Sequence, residues 1–366
     1  MLGALLALAL WPAARAAETQ SFQAKTLTVT AGGELQFKSS QGDLEIRLWD
    51  RGEVTVAARG INAQDLTIDQ TGNLVRLDYR GSHRNVRFEL QVPTRFNLDL
   101  GTGGGDISIF GDLQGRLAVA TQGGDIEFGD VEGEAKIKTN GGDIDGGSIA
   151  GNSEIQTLGG DISLGYVDGT LDVSTQGGDI SIRGVGNTLK AKTFGGDVEV
   201  GDVGGEADLS TLGGDVIVGR VSGRASLKSS GGDIELRSST GDVIATTAGG
   251  DIELREVSGS VEARTAGGDI DAELAGSGAG GSSLVSRGGD VTLRLPGDAP
   301  FTVQAKIRLR GSSRGDRANH RFISDFPQTN AQSGEEEMLA TYQINGGGPL
   351  ITLETTNGSI RILRSR

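Results

Sequence analysis

The sequence predicts an all-β fold: a single-chain, right-handed parallel β-solenoid with about 18 residues per coil and β caps at both ends. Three observations carry that expectation. Gly-Gly-Asp-Ile/Val recurs with its Asp at 106, 125, 143, 161, 179, 197, 215, 233, 251, 269 and 290, in steps of 19, then eight of 18, then 21. Within each unit two short runs alternate apolar and polar residues, and each run is closed by glycine, which is the pattern of two strands per coil. Glycine supplies 62 of the 366 residues, interleaved with Ile, Val and Leu and accompanied by only 6 Pro. Collagen is excluded because the glycines have no three-residue period, and disorder because there is apolar surface to bury.

Taken in chain order, residues 1–16 read as a signal peptide. Leu2 to Leu10 is a short apolar run, Trp11-Pro12 interrupt it, and Ala14-Arg15-Ala16 offers the small-x-small pattern cleaved by signal peptidase. Met1 is followed directly by Leu2 rather than by basic residues, so the true start is expected upstream. No transmembrane segment is expected after cleavage, since no later stretch reaches the ~20 apolar residues a spanning helix needs. Residues 17–100 carry longer strand-like runs (Thr26 to Thr30, Leu44 to Trp49, Val54 to Ala58, Leu74 to Tyr79, Val86 to Val92) and are assigned as an N-terminal cap over the open strand edges. Within them, Ser39-Ser40-Gln41-Gly42-Asp43-Leu44 reads as a decayed coil.

Residues 101–294 are the regular array. The position after Asp is always Ile or Val, from Ile107 to Val291, and two further on lie residues such as Phe128, Leu164, Ile182 and Val200. The second strand supplies Val119, Ile137, Ile155, Val173, Ala191 and their successors. Each set is a column stacked at the ~4.8 Å strand spacing, so the ten steps give an axial length of roughly 48 Å. Positions between these columns are expected to face water, as Glu127, Glu199, Glu235 and Glu253 indicate; the opposite face mixes Lys136, Lys138, Lys190, Lys192, Lys228 and Arg264 with Ser, Asp and Glu. Residues 295–366 are expected to hold a charged loop from Arg308 to Ser333 and a degenerate last coil, Thr355-Thr356-Asn357-Gly358-Ser359-Ile360.

The Asp column is the first candidate for function. Eleven carboxylates at ~4.8 Å would repel by roughly 0.9 kcal/mol per adjacent pair even in water, so something must compensate. Calcium is one candidate, as in glycine-rich β-rolls, with Asp143, Asp161, Asp179, Asp197, Asp215 and Asp233 as its ligands. The turn itself is the preferred alternative. A hydroxyl stands four residues before every Asp, from Thr102 to Ser286, and Thr-x-Gly-Gly-Asp reads as a turn in which Asp accepts from turn amides while Gly-Gly supplies positive φ.

Catalytic signals are sparse. His83 and His320 lie outside the array, and no nucleophile elbow, zinc-protease motif or phosphate loop is present. The absence of Cys removes disulfides, thiolate metal sites, cysteine nucleophiles and lipoprotein anchoring. A net charge of −15 argues against nucleic acid or anionic lipid as a partner.

The segment Val86-Arg87-Phe88-Glu89-Leu90-Gln91-Val92-Pro93, followed by Leu98-Asp99-Leu100 and then Gly-Asp-Ile coils, resembles the bacterial putative adhesin family classed as domain of unknown function 4097. Gly33-Glu34-Leu35 through Leu48-Trp49-Asp50 and Val54-Thr55-Val56 are similar to its opening strands, and Leu350 through Ile360 to its closing coil. The resemblance implies an exported β-solenoid of the bacterial envelope and brings no catalytic residues with it. The function expected is therefore that of a non-catalytic adhesin or envelope-binding protein of the periplasm, outer envelope or exterior, without cofactor, whose partner is a cell-surface or envelope polymer, glycan or protein. Two alternatives stand beside it: a carbohydrate-active β-helix enzyme with a cleft near the 308 to 333 loop, and a calcium-stabilised rod.

Overall fold

Ile180–Val185 and Leu189–Lys192 show how one unit of the repeat folds in the computed structural model, which describes residues 21–83, 85–276, 281–310 and 320–365. The strand after Asp joins one sheet, here called sheet 1, and the strand leading to the next Thr joins a second, sheet 2. Consecutive coils pair in parallel with an 18-residue offset: Ile144, Ile162, Ile180 and Val198 stand in register in sheet 1, as do Ile155, Val173, Ala191 and Leu209 in sheet 2. The period of two then sets the faces. Ile180 and Ile182 are buried between the sheets while Ser181 and Arg183 are exposed. The signal-like residues 1–16 lie outside the described residues.

Two further columns complete the core. Val185, Val203 and Val221 end the first strand, and Leu171, Leu189 and Ala207 begin the second; all are buried. The space between sheets is narrow, so aliphatic side chains fill it. Phe128 is the array's one buried aromatic among the described residues, and its ring occupies the volume that a Cβ on Gly146 of the next coil would need. The 19-residue step is absorbed locally. Ile109 pairs with Phe128 and Leu113 bridges Val131, so the extra residue lies between them, where Gly111 adopts φ +103°.

The glycine pairs correct the sequence expectation of positive φ. From Gly123 to Gly289 no member of a Gly-Gly pair that precedes a column Asp lies in the left-handed region. The constraint is contact between coils: a Cβ on Gly142 would collide with the carbonyl of Gly124, and one on Gly160 with that of Gly142. Coils held at strand spacing bring the backbones of their corners together, and only glycine leaves room.

At both ends the order in space departs from the order in the chain. The coil made by Gly33–Ser39 and Asp43–Trp49 is not outermost. Gly33–Ser39 lies between Phe96–Thr102 and Leu74–Tyr79, and Asp43–Trp49 between Ile107–Phe110 and Arg87–Pro93. The closing segment behaves alike. Leu350–Thr356 inserts between Ser283–Ser286 and Phe301–Arg308, and Ile360–Arg364 between Val291–Leu295 and Phe322–Ser324. The expected last coil is thus a penultimate one. The stretch read as a charged loop holds two strands, Phe322–Ser324 and Asn330–Ser333. The physical reason is the exposed edge: antiparallel partners, Ser21–Thr28 on Glu53–Arg59, Leu66–Thr71 on Leu74–Tyr79 and Glu337–Ile344 on Phe301–Arg308, pair the edges that a bare coil would leave open. Aromatic residues gather here, with Phe37 and Tyr79 both edge-on to Phe88 at 5.0 and 5.4 Å.

Candidate functional site

The Asp column forms a continuous ladder at one corner. Oδ1 of each Asp accepts the backbone N–H of the Asp one coil on: Asp143 N–H to Asp125 at 2.8 Å, then Asp161, Asp179, Asp197, Asp215 and Asp233 in turn at 2.7–2.8 Å. The ladder starts at Asp43, which accepts from Asp106, and ends where Asp290 accepts from Ser359 and pairs with Arg361 at 2.8 Å. This corrects the expectation that Asp serves its own turn: each carboxylate clamps two coils. A hydrogen bond to a charged acceptor contributes about 1.5–3 kcal/mol, more than the repulsion between neighbours. Beside it, each buried Thr donates to a glycine carbonyl of the preceding coil, as Thr157 Oγ1 does to Gly142 at 2.9 Å, and accepts from its own turn, as from Gly160 N–H at 3.3 Å. Among the described residues no three His, Asp or Glu side chains are gathered as a metal site would require. His83 and His320 lie in the caps at opposite ends.

Sheet 2 presents a face on which several of the charges are paired. Lys136 and Lys138 hold Glu154 at 2.6 and 2.8 Å, Lys190 holds Asp172 at 3.6 Å, and Arg264 pairs with Glu262. The Lys136 and Lys138 ammoniums donate to Glu154 and bring its carboxyl down to about 2.

Sheet 1 is different. A trough of about 650 Å³ runs along its outer face across six coils, from Ser163 to Glu253. Two columns build it. One, two residues after Asp, presents Ser181, Glu199, Ile217 and Glu235; the other, two further on, presents Arg183, Gly201, Gly219 and Arg237. The two glycines remove side chains from the middle of the second column, so the floor there is backbone with the Asp202 carboxylate against Gly219, and Ile217 is 39% exposed beside it. Arg183 and Arg237 stand at the ends of this gap, three coils or about 14 Å apart. Neither arginine has an ion-pair partner among the described residues, nor do Glu199 and Glu235, whereas the neighbouring Arg255 is held by Glu253 and Asp271 at 2.6 and 3.4 Å. At the Ser163 end the exposed Tyr166 ring lies across Gly184, where a Cβ would come within 3.0 Å of two ring carbons. Sequence reading weighed the alternate column but not the one holding Arg183 and Gly201. Aligning the repeats on Asp and reading down that position would have displayed the break from Arg to Gly to Gly to Arg.

Fold and surface together define a capped parallel β-solenoid whose long faces repeat one polar pattern coil after coil. The sequence profile of the family described as Toastrack DUF4097 matches residues 19–201 and 169–362, and the chain belongs to that family. Among solved structures the chain is similar to a "putative adhesin" from Parabacteroides distasonis ATCC 8503, at 12% identity and TM-score 0.25, covering 95% of this chain and 98% of that one. A "putative adhesin" from Bacteroides fragilis NCTC 9343 matches at 12% identity and TM-score 0.19, over 94% and 97%. A "putative cell adhesion protein" from Clostridium sporogenes ATCC 15579 matches at 9% and 0.17, over 95% and 100%. At these values the likenesses add nothing to the family assignment. No curated protein matches the chain.

Proposed function

We propose that the protein is an exported, non-catalytic envelope protein that binds an extended polymer along the outer face of sheet 1. One observation carries this reading: a trough crosses six coils on the outer face of sheet 1 and keeps Arg183, Glu199, Glu235 and Arg237, none of them ion-paired, in a row parallel to the axis. Guanidiniums and carboxylates without ion-pair partners that line one trough are groups left free for a ligand. A trough that crosses coil after coil suits a chain-like partner, because each coil offers one contact at a fixed step. The apolar run Leu2 to Leu10 and the small-x-small motif that follows support export. No helix among the described residues is long and apolar enough to cross a membrane.

The test is co-sedimentation of the purified chain with insoluble envelope fractions. Saturable pelleting, without release of reducing sugar over hours, is expected. Absence of pelleting with every fraction, or steady release of soluble fragments, overturns the reading.

A further inference from the structure

Resting on that reading, we propose that the trough between Arg183 and Arg237 is a binding site for a neutral, extended glycan. The chemistry of the lining selects it. A guanidinium offers pairs of parallel donors and a carboxylate pairs of acceptors, and adjacent sugar hydroxyls satisfy both kinds, since each hydroxyl donates and accepts. Arg183, Glu199, Glu235 and Arg237 are free to do so. A polyanion would meet Glu199 and Glu235 inside the trough and a net charge of −15 around it; a polycation would meet the two guanidiniums. Between them Ile217 offers an apolar contact for the C–H face of a pyranose ring, and the low floor at Gly201 and Gly219 leaves backbone and the Asp202 carboxylate for its hydroxyls.

Tyr166 extends the same logic. An exposed aromatic ring packed on a glycine is a platform for a sugar ring, and Tyr166 pairs with Gly184, the residue after Arg183, beside the trough. The rise of a β-linked pyranose chain is close to the interstrand spacing, so successive sugars meet successive coils.

The experiment is calorimetry on the full purified chain with neutral β-1,4-linked hexasaccharides of glucose, N-acetylglucosamine and mannose, and with hexagalacturonate as the charged counterpart. Binding to at least one neutral hexasaccharide is expected, changing by less than about twofold between low and high salt because no net charge is neutralised. Arg183→Ala, Arg237→Ala, Glu199→Gln and Tyr166→Ala should each weaken it by about tenfold. Lys190→Ala on sheet 2 should leave it unchanged. Circular dichroism separates loss of binding from loss of fold, and all four side chains are exposed. Preference for hexagalacturonate, neutral binding untouched by the four variants, or no hexasaccharide binding while envelope pelleting persists would each overturn the glycan assignment and leave polymer binding standing. Loss of pelleting itself would remove both.

Discussion

Gly141 and Gly142 are neighbours in one turn, yet the coil below constrains them differently. The nearest atom to a Cβ on Gly141 would be the Gly123 carbonyl oxygen at 3.5 Å, an ordinary contact, whereas on Gly142 the Gly124 carbonyl occupies the site. Gly141→Ala should therefore change stability by less than about 0.5 kcal/mol, while Gly142→Ala should cost about 3 kcal/mol by forcing two coils apart. Urea denaturation of the two variants decides it, and equal losses would contradict the contact account. Charge gives a second expectation at this scale. Glu154 is held below its ordinary value by Lys136 first and Lys138 second, so its contribution is present above the unfolded value near 4.5 and is lost as pH falls toward about 2. With 36% of its side chain exposed, that contribution is less than about 1 kcal/mol. A carboxyl titration followed by NMR should show the Glu154 value rising toward 4.5 when both lysines are replaced by Met.

A strand of the array is an alternation with one consequence per residue. Ile180 is 1% exposed in the middle of the core, and Ser181 faces solvent between Ser163 and Glu199. Ile180→Asp buries a charge with no partner and should cost more than about 4 kcal/mol, enough to unfold the surrounding coils. Ser181→Asp places a carboxylate beside Glu199 on the open face and should cost less than about 1 kcal/mol. Thermal melts of both variants test the pattern; similar midpoints would contradict the inward and outward assignments. Strand pairing depends on the same alternation, since a slip by one residue would turn the Ile and Val columns outward.

On the scale of the whole molecule, each regular coil contacts its two neighbours and the caps contact only the ends. Removal of Asp179 to Gly196 takes out one complete coil, Ile180–Val185 with Leu189–Lys192, and brings Asp161 next to Asp197 with the ladder and both sheets in register. The shortened chain should fold with unchanged β content by circular dichroism. It should also lose affinity for the neutral hexasaccharide, because Arg183 leaves with the coil. A chain that fails to fold would show that cooperativity reaches beyond nearest neighbours.

Several features of this protein were determined by sequence alone. The 18-residue step, the inward columns through Ile180 and Val173, the outward carboxylates and the hydroxyl before each Asp all follow from rules that act within one coil, where alternation and turn chemistry are local. Three features were decided only by the tertiary structure. The role of each Asp depends on which backbone N–H lies 2.8 Å from its Oδ1, and that N–H belongs to another coil. The exchange of order at the ends depends on which strand edge is left open, which no single segment specifies. The trough exists because side chains 18 residues apart become neighbours at strand spacing, so that two glycines, unremarked along the chain, become a gap between two arginines once the coils are stacked.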